Sequence, residues 1–274
     1  MLVTLTSISG SPGVSTTGLG IALTADSSKL LYIEADPIGS SPTLAGFFHA
    51  RRRHDRSIIQ LVEPNRHGQI GPAFHNQIVR IGPFDPDEPT KAQGWFVPGL
   101  VNAAQTESMK STWGPLGAHL ALLSKQGGGD LLVDAGRLNL RSGHQDLIRH
   151  SDVIAIMLRP TRTAVAAVRA GVGPLQQHLE NTKSPASIGL IVRGTEPYSA
   201  AEAAAATGLD VIAVVPESPV HAQVFSEGAS LSKWRRRRSS YLRAIDGTWQ
   251  KIERFHETHQ PAWIANSPYT SQLA

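Results

Sequence analysis

Short, nearly unbroken runs of apolar residues recur along the chain at 1–8, 130–134, 152–158, 187–192 and 210–215. Each is too short for a buried helix and rich in Val, Ile and Leu, so each predicts a strand covered on both faces. Weaker runs at 29–34 and 95–97 predict two more, the second closed by Pro98 and Gly99. Between these runs the apolar spacing lengthens to three and four. Leu19, Ala22 and Leu23 share one helical face, and 116–123 also reads as helix. The segment 162–179 does so through Val165, Val168, Val172 and Leu175, and 199–207 ends at Gly208. Strands alternating with helices predict an α/β fold: a doubly wound, mostly parallel sheet with helices on both faces.

Residues 40–113 break this rhythm. A basic run, Arg51, Arg52, Arg53 and His54, precedes turn-rich sequence around Pro83, Pro86 and Pro89. That predicts an irregular surface subregion or lid rather than a second domain. Near the other end Trp234 leads into Arg235, Arg236, Arg237 and Arg238, followed by Tyr241, Leu242, Ile245, Trp249, Ile252 and Phe255 at helical spacing. The chain therefore divides into a main domain over 1–232 and a basic, amphipathic helical tail over 233–274, irregular from about 260. Two readings of the tail stand side by side. Its arginines meet DNA phosphates or acidic lipid, with the helix lying on a membrane, or its stripe packs against the sheet.

Composition narrows the chemistry. Without cysteine there are no disulfides and no thiolate metal sites. No apolar run approaches the length that spans a bilayer, and the first residues lack the pattern of a signal peptide, so a cytoplasmic location is expected. The net charge of +4 permits contact with nucleic acid or anionic lipid without requiring it. There is no G-x-S-x-G elbow for covalent hydrolysis. His256 and His259 have helical metal spacing but no third ligand in view.

The most informative stretch is Gly10, Ser11, Pro12, Gly13, Val14, Ser15, Thr16 and Thr17, which joins the first strand to the first helix. A glycine-containing turn there aims successive backbone N–H groups and a helix N-terminus at one spot, which makes an anion site. On the pattern G-x-x-x-x-G-K-[ST], Thr16 stands at the lysine and Thr17 at the metal-ligand hydroxyl. Asp36 follows the second strand, where a carboxylate manages water or magnesium or else caps a Pro-Gly turn. Asp134 ends the strand at 130–134 in a comparable place.

These residues resemble the MinD/ParA family of deviant phosphate-loop ATPases, whose loop reads G-K-G-G-x-G-K-T-T. The residues from Gly10 to Thr17 align with its first eight positions without a gap. Glu34, Ala35, Asp36 and Pro37 look like the family's D-x-D-P, and Val215, Pro216, Glu217, Ser218 and Pro219 are similar to the segment that closes over the adenine. The resemblance implies ATP and Mg²⁺ as cofactors, with Thr17 and Asp134 serving the metal and Asp36 the attacking water. It implies contact with the base at Arg193 and with the adenine at Pro216 and Glu217.

The departures bear on activity. The family's signature lysine is Ser11 here, its phosphate lysine is Thr16, and Pro12 removes a backbone donor. A charge-assisted hydrogen bond is worth roughly 1.5–3 kcal/mol, so losing two weakens triphosphate binding by roughly 10²–10⁴-fold unless another cation substitutes. Arg51 to Arg53, or Arg137, are candidates within a dimer. The expectation is a MinD/ParA-like positioning or partitioning protein with weak or absent hydrolysis. Its expected partners are a second copy, DNA through Arg235 to Arg238, and a protein of a partition, septation or secretion system, with membrane contact less expected. The alternatives are a non-catalytic scaffold and a basic DNA-binding accessory protein with a vestigial nucleotide site.

Overall fold

The computed structural model describes residues 1–10, 12–25, 30–81, 94–127, 129–138, 140 and 143–259. Ser11, Pro83, Pro86, Pro89 and everything from 260 onward lie outside the described residues. Eight strands form one sheet in the order β3-β4-β2-β5-β1-β6-β7-β8. They are β1 (Leu2–Ser7), β2 (Leu30–Glu34), β3 (Val79–Ile81), β4 (Gly94–Val97), β5 (Asp130–Arg137), β6 (Val153–Leu158), β7 (Ser187–Arg193) and β8 (Val211–Val215). All neighbours pair in parallel except β3, which runs antiparallel to β4 at the edge. Every residue of β1, β2 and β6 is buried, as continuous apolar runs require when helices cover both faces.

The helices are α1 (Val14–Thr24), α2 (Val62–Arg66), α3 (Ile70–His75), α4 (Trp113–Lys125), α5 (Gln145–Ile148), α6 (Arg162–Asn181), α7 (Ala200–Thr207), α8 (Pro219–Ser226), α9 (Lys233–Arg238), α10 (Ser240–Asp246) and α11 (Thr248–Thr258). Their limits follow local chemistry. Ser199 and Glu202 form a reciprocal capping box at the start of α7, and Gly208 ends it in the left-handed conformation. The apolar stripe of α6 buries Ala164, Val168, Val172, Leu175 and Leu179.

On one face of the sheet, α1, α8, α10 and α11 share a core with Leu5, Tyr32, Leu132 and Ile191. The other face is covered by two further clusters, one around α4 and the other around α6 and α7. The first of these also takes in Ile58, Leu61, Phe74, Met109 and Trp113, all fully buried. Among the described residues, the middle of the chain therefore contributes a layer of the core and an edge strand. The three-residue β3 carries no apolar alternation long enough to announce itself.

The stripe on the C-terminal helices is core as well. Tyr241, Leu242, Ile245, Trp249, Ile252 and Phe255 are all buried in the cluster with α1 and β8, which leaves no apolar face of α11 for a membrane. Ile252→Ala is expected to destabilise the chain by about 2–5 kcal/mol through lost burial and a cavity. Urea denaturation checks this; a change below ~0.5 kcal/mol would mean that α11 does not belong to the core.

Candidate nucleotide site

The central strand β1 runs directly into the glycine-containing loop and α1, between β5 and β6. Gly10 (φ 65°) and Gly13 (φ 90°) take left-handed backbone that turns the chain back on itself. Gly13 stands at the N-cap of α1, and the Thr17 N–H returns to its carbonyl at 2.9 Å. With no side chain at the cap, the first-turn amides have no side-chain acceptor from that residue. Pro12, Val14 and Thr17 are buried, and Ser15 and Thr16 half-buried. A cleft of about 500 Å³ opens beside Ser15 and Thr16, bounded by Ser40, Pro42, Thr43 and Phe225.

Beneath the loop lies a buried polar cluster. Asp134 is 1% exposed. Its Oδ2 accepts from the Tyr32 hydroxyl at 2.9 Å, and its Oδ1 from the Gly136 N–H at 2.9 Å. Burial pushes its pKa from 3.8 up to about 6, against the pull of hydrogen bonds from Ser15, Gly136 and Tyr32. The same Tyr32 hydroxyl lies 3.4 Å from the Ser15 carbonyl, so one phenol joins loop to carboxylate. Burial, with Asp134 and Glu34 nearby, holds that phenol well above its ordinary pKa and keeps it a neutral donor.

Asp36 stands beside this cluster. Its Oδ1 accepts from the Ile38 N–H at 2.8 Å, so it does cap the turn after β2, and burial raises its pKa. It also rests on Gly136, where an added Cβ would lie 2.1 Å from the Asp36 carboxyl carbon. Only glycine at 136 lets the Asp36 carboxylate come this close to β5. Glu34, the first acid of this segment, has a different task. It is fully buried and accepts from the Ser41 hydroxyl and from the N–H groups of Thr43 (2.9 Å) and Gly99 (3.0 Å). It ties the loop after β2 to the loop after β4.

Arg193 ends β7, and its Nη1 donates to the Pro12 carbonyl at 3.1 Å. Glu217, expected beside the adenine, is drawn into a charge cluster with Arg159 and with Arg193, whose Nη2 lies 3.9 Å away. Pro216 follows β8, half-buried, next to Glu217. The candidate substitutes for the missing lysines were expected to act within a dimer, and in the single chain they are placed as follows. Arg52 donates to the Arg80 carbonyl at 2.7 Å and covers the Phe48 ring at 3.8 Å, and Arg137 is exposed just past Gly136. Arg235 to Arg238 lie on α9, apart from this cluster in the chain. Arg235, Arg237 and Arg238 are exposed there, and the Arg238 guanidinium lies 4.4 Å from the ring of Trp234, itself 62% exposed.

Sequence reasoning missed Tyr32 and Arg159. A hydroxyl two residues before an acid in an apolar strand is the one signal for Tyr32. Nothing in sequence brings Arg159 to Glu217, because the sheet order does.

This sheet order, with a strand–loop–helix at its centre, defines a P-loop NTPase fold. Among solved structures the chain is similar to MinD of Pyrococcus horikoshii complexed with Mg-ADP, with a TM-score of 0.65 and 15% identity, covering 93% of this chain and 96% of that one. It is likewise similar to apo McdA of Cyanothece (TM-score 0.65, 18% identity, 92% and 98% covered) and a ParA family ATPase of Chlorobium tepidum (TM-score 0.63, 12% identity, 92% and 98% covered). The fold is therefore that of the MinD, McdA and ParA ATPases. No protein-family model matches the chain, and no curated protein matches it in sequence.

Asp134 gives a pH prediction. Because its folded pKa is raised, the folded state holds the proton more tightly than the unfolded chain. That stabilisation is complete below about pH 4 and is lost as pH rises through about 6, a swing of up to about 3 kcal/mol at 1.36 kcal/mol per unit. Asp134→Asn, which cannot ionise, should raise the melting temperature relative to the parent at pH 8 and not at pH 4. A constant offset between the two pH values would contradict the buried carboxylate.

Proposed function

We propose that this chain is a nucleotide-binding positioning or partitioning protein built like MinD and ParA, with weak or absent ATP hydrolysis. The observation that carries the reading is the placement of Asp134 under the loop and Asp36 against Gly136, while Thr16 stands where a lysine would neutralise the phosphates. Binding groups persist and the groups that stabilise a transferred phosphoryl are gone. In the resemblance Asp36 orients the attacking water; here it also caps its own turn.

The donors fit magnesium. Thr17 and Asp134 offer oxygen, the donor a hard cation prefers, and Mg²⁺ in nucleotide sites takes few protein ligands. Burial raises the pKa of both Asp134 and Asp36, and Asp36 adds to the shift at Asp134. When bound, the ion would neutralise phosphate charge; Thr17 and Asp134 would hold it directly or through its water shell.

Calorimetric titration with ATP, with and without magnesium, tests the reading. Magnesium-dependent binding is expected, and Asp134→Ala should abolish the magnesium dependence. Thr16→Lys should tighten ATP roughly 10- to 100-fold. No heat at millimolar ATP in either parent or Thr16→Lys would make the loop a relic.

A second reading, DNA contact by a cytoplasmic homodimer, is favoured by the exposed face of α9. Its guanidinium groups and the tryptophan beside them suit a phosphate backbone. Replacing Arg235, Arg237 and Arg238 together with Ala should flatten the dependence of DNA affinity on salt, by about 0.9 log units for each phosphate no longer neutralised. An unchanged slope in a fluorescence-anisotropy titration would remove α9 from any DNA surface. Affinity indifferent to ATP would favour a DNA-binding accessory with a vestigial site. A dimer indifferent to ATP and lacking DNA affinity would favour a scaffold, its partner then a protein of a partition, septation or secretion system.

A further inference from the structure

We infer that Arg193 supplies, from the same chain, the positive charge the loop lacks at Thr16, and that it meets the phosphates of a bound nucleotide rather than its base. The inference rests on the nucleotide-binding reading above and names the residue that makes it workable.

The geometry is specific. The Arg193 guanidinium reaches the loop itself: Nη1 donates to the Pro12 carbonyl at 3.1 Å, and a Cβ built on Gly13 would lie 3.0 Å from the same nitrogen. It thus lies over the N-cap of α1, where backbone N–H groups already concentrate positive charge. A cation there is poorly placed unless an anion shares the spot. Pro12 uses one of its five donors, and Glu217 at 3.9 Å lies beyond hydrogen-bond reach, so donors remain for phosphate oxygens. The side chain is only 16% exposed, which reduces screening of its charge.

The surrounding charges favour the same assignment. Glu217 is already engaged by Arg159, so Arg159, Glu217 and Arg193 together leave one positive charge facing the loop. The Tyr241 hydroxyl beside Arg193 is buried and neutral, with its pKa pushed up to about 12, and does not cancel it. Glu217 is then a weak internal rival of the phosphates.

The test compares ATP, AMP and inorganic tripolyphosphate binding by calorimetry in the parent, Arg193→Ala, Arg193→Lys and Glu217→Gln. Arg193→Ala should weaken ATP and tripolyphosphate roughly 10- to 100-fold and AMP much less, with Arg193→Lys recovering part of the loss. Glu217→Gln should tighten ATP by roughly 2- to 5-fold. If Arg193 merely braces the loop against Glu217, Glu217→Gln would weaken binding instead, and the inference falls. Equal losses for AMP and ATP would return Arg193 to the base and overturn it, as would unchanged ATP affinity. If the parent binds no ATP, the nucleotide-binding reading fails first and takes this inference with it. If the parent binds and Arg193→Ala binds equally well, only the inference fails.

Discussion

One hydrogen bond sets the geometry of this molecule's candidate site: the Tyr32 hydroxyl to Asp134. It crosses from β2 to β5 inside the core and touches the underside of the loop at the Ser15 carbonyl. A bond to an ionised carboxylate is worth roughly 1.5–3 kcal/mol, and losing the donor would leave a buried carboxylate short of a partner. The phenol also fills space between α1 and the sheet, so packing and polarity fix the same position. Asp134 is thereby held at a set depth below the loop, and Gly136 then decides how near Asp36 can come.

The result is a site whose negative charge is not balanced from below. Asp36 and Asp134 both hold their protons more tightly than free carboxylates, chiefly because burial penalises charge, and the second feels the first. On the far side of the loop the sign reverses, with Arg159 and Arg193 held around Glu217. The loop lies between an acidic floor and a basic flank. On the proposed nucleotide-binding reading, the acidic floor would face magnesium and the basic flank the phosphates.

Much of the architecture was legible in the sequence because parallel strands covered on both faces are mostly apolar, and the central residues of β1, β5, β6, β7 and β8 are. Gly208 and Ser199 marked α7 for equally local reasons. What stayed hidden depends on distant partners. Ile58, Phe74 and Trp113 gave no periodic signal across 40–113 because they come from short elements that pack as a group. Glu34 could be matched to the first acid of the D-x-D-P pattern, but its backbone and hydroxyl donors come from loops the sequence does not place. Arg193 was named only through the resemblance, and its reach to the loop at Pro12 depends on β7 lying two strands from β1. The α11 stripe looked the same whether it met lipid or sheet; contact with β8 decided it.

The place of β1 has a consequence for the order in which the chain can assemble. Leu2, Val3 and Leu5 pair with Leu131, Leu132 and Asp134 on one side, and Val3 and Leu5 with Val153 and Ala155 on the other. The Leu2 N–H bonds the Asp152 carboxylate, 150 residues downstream. The loop that follows β1 therefore cannot be seated until β5 and β6 have been synthesised. Pairings of such long range also slow folding, because loop-closure entropy must be met before the contacts form. During that interval β1 is an apolar strand with both edges open, the state most in need of protection from other chains.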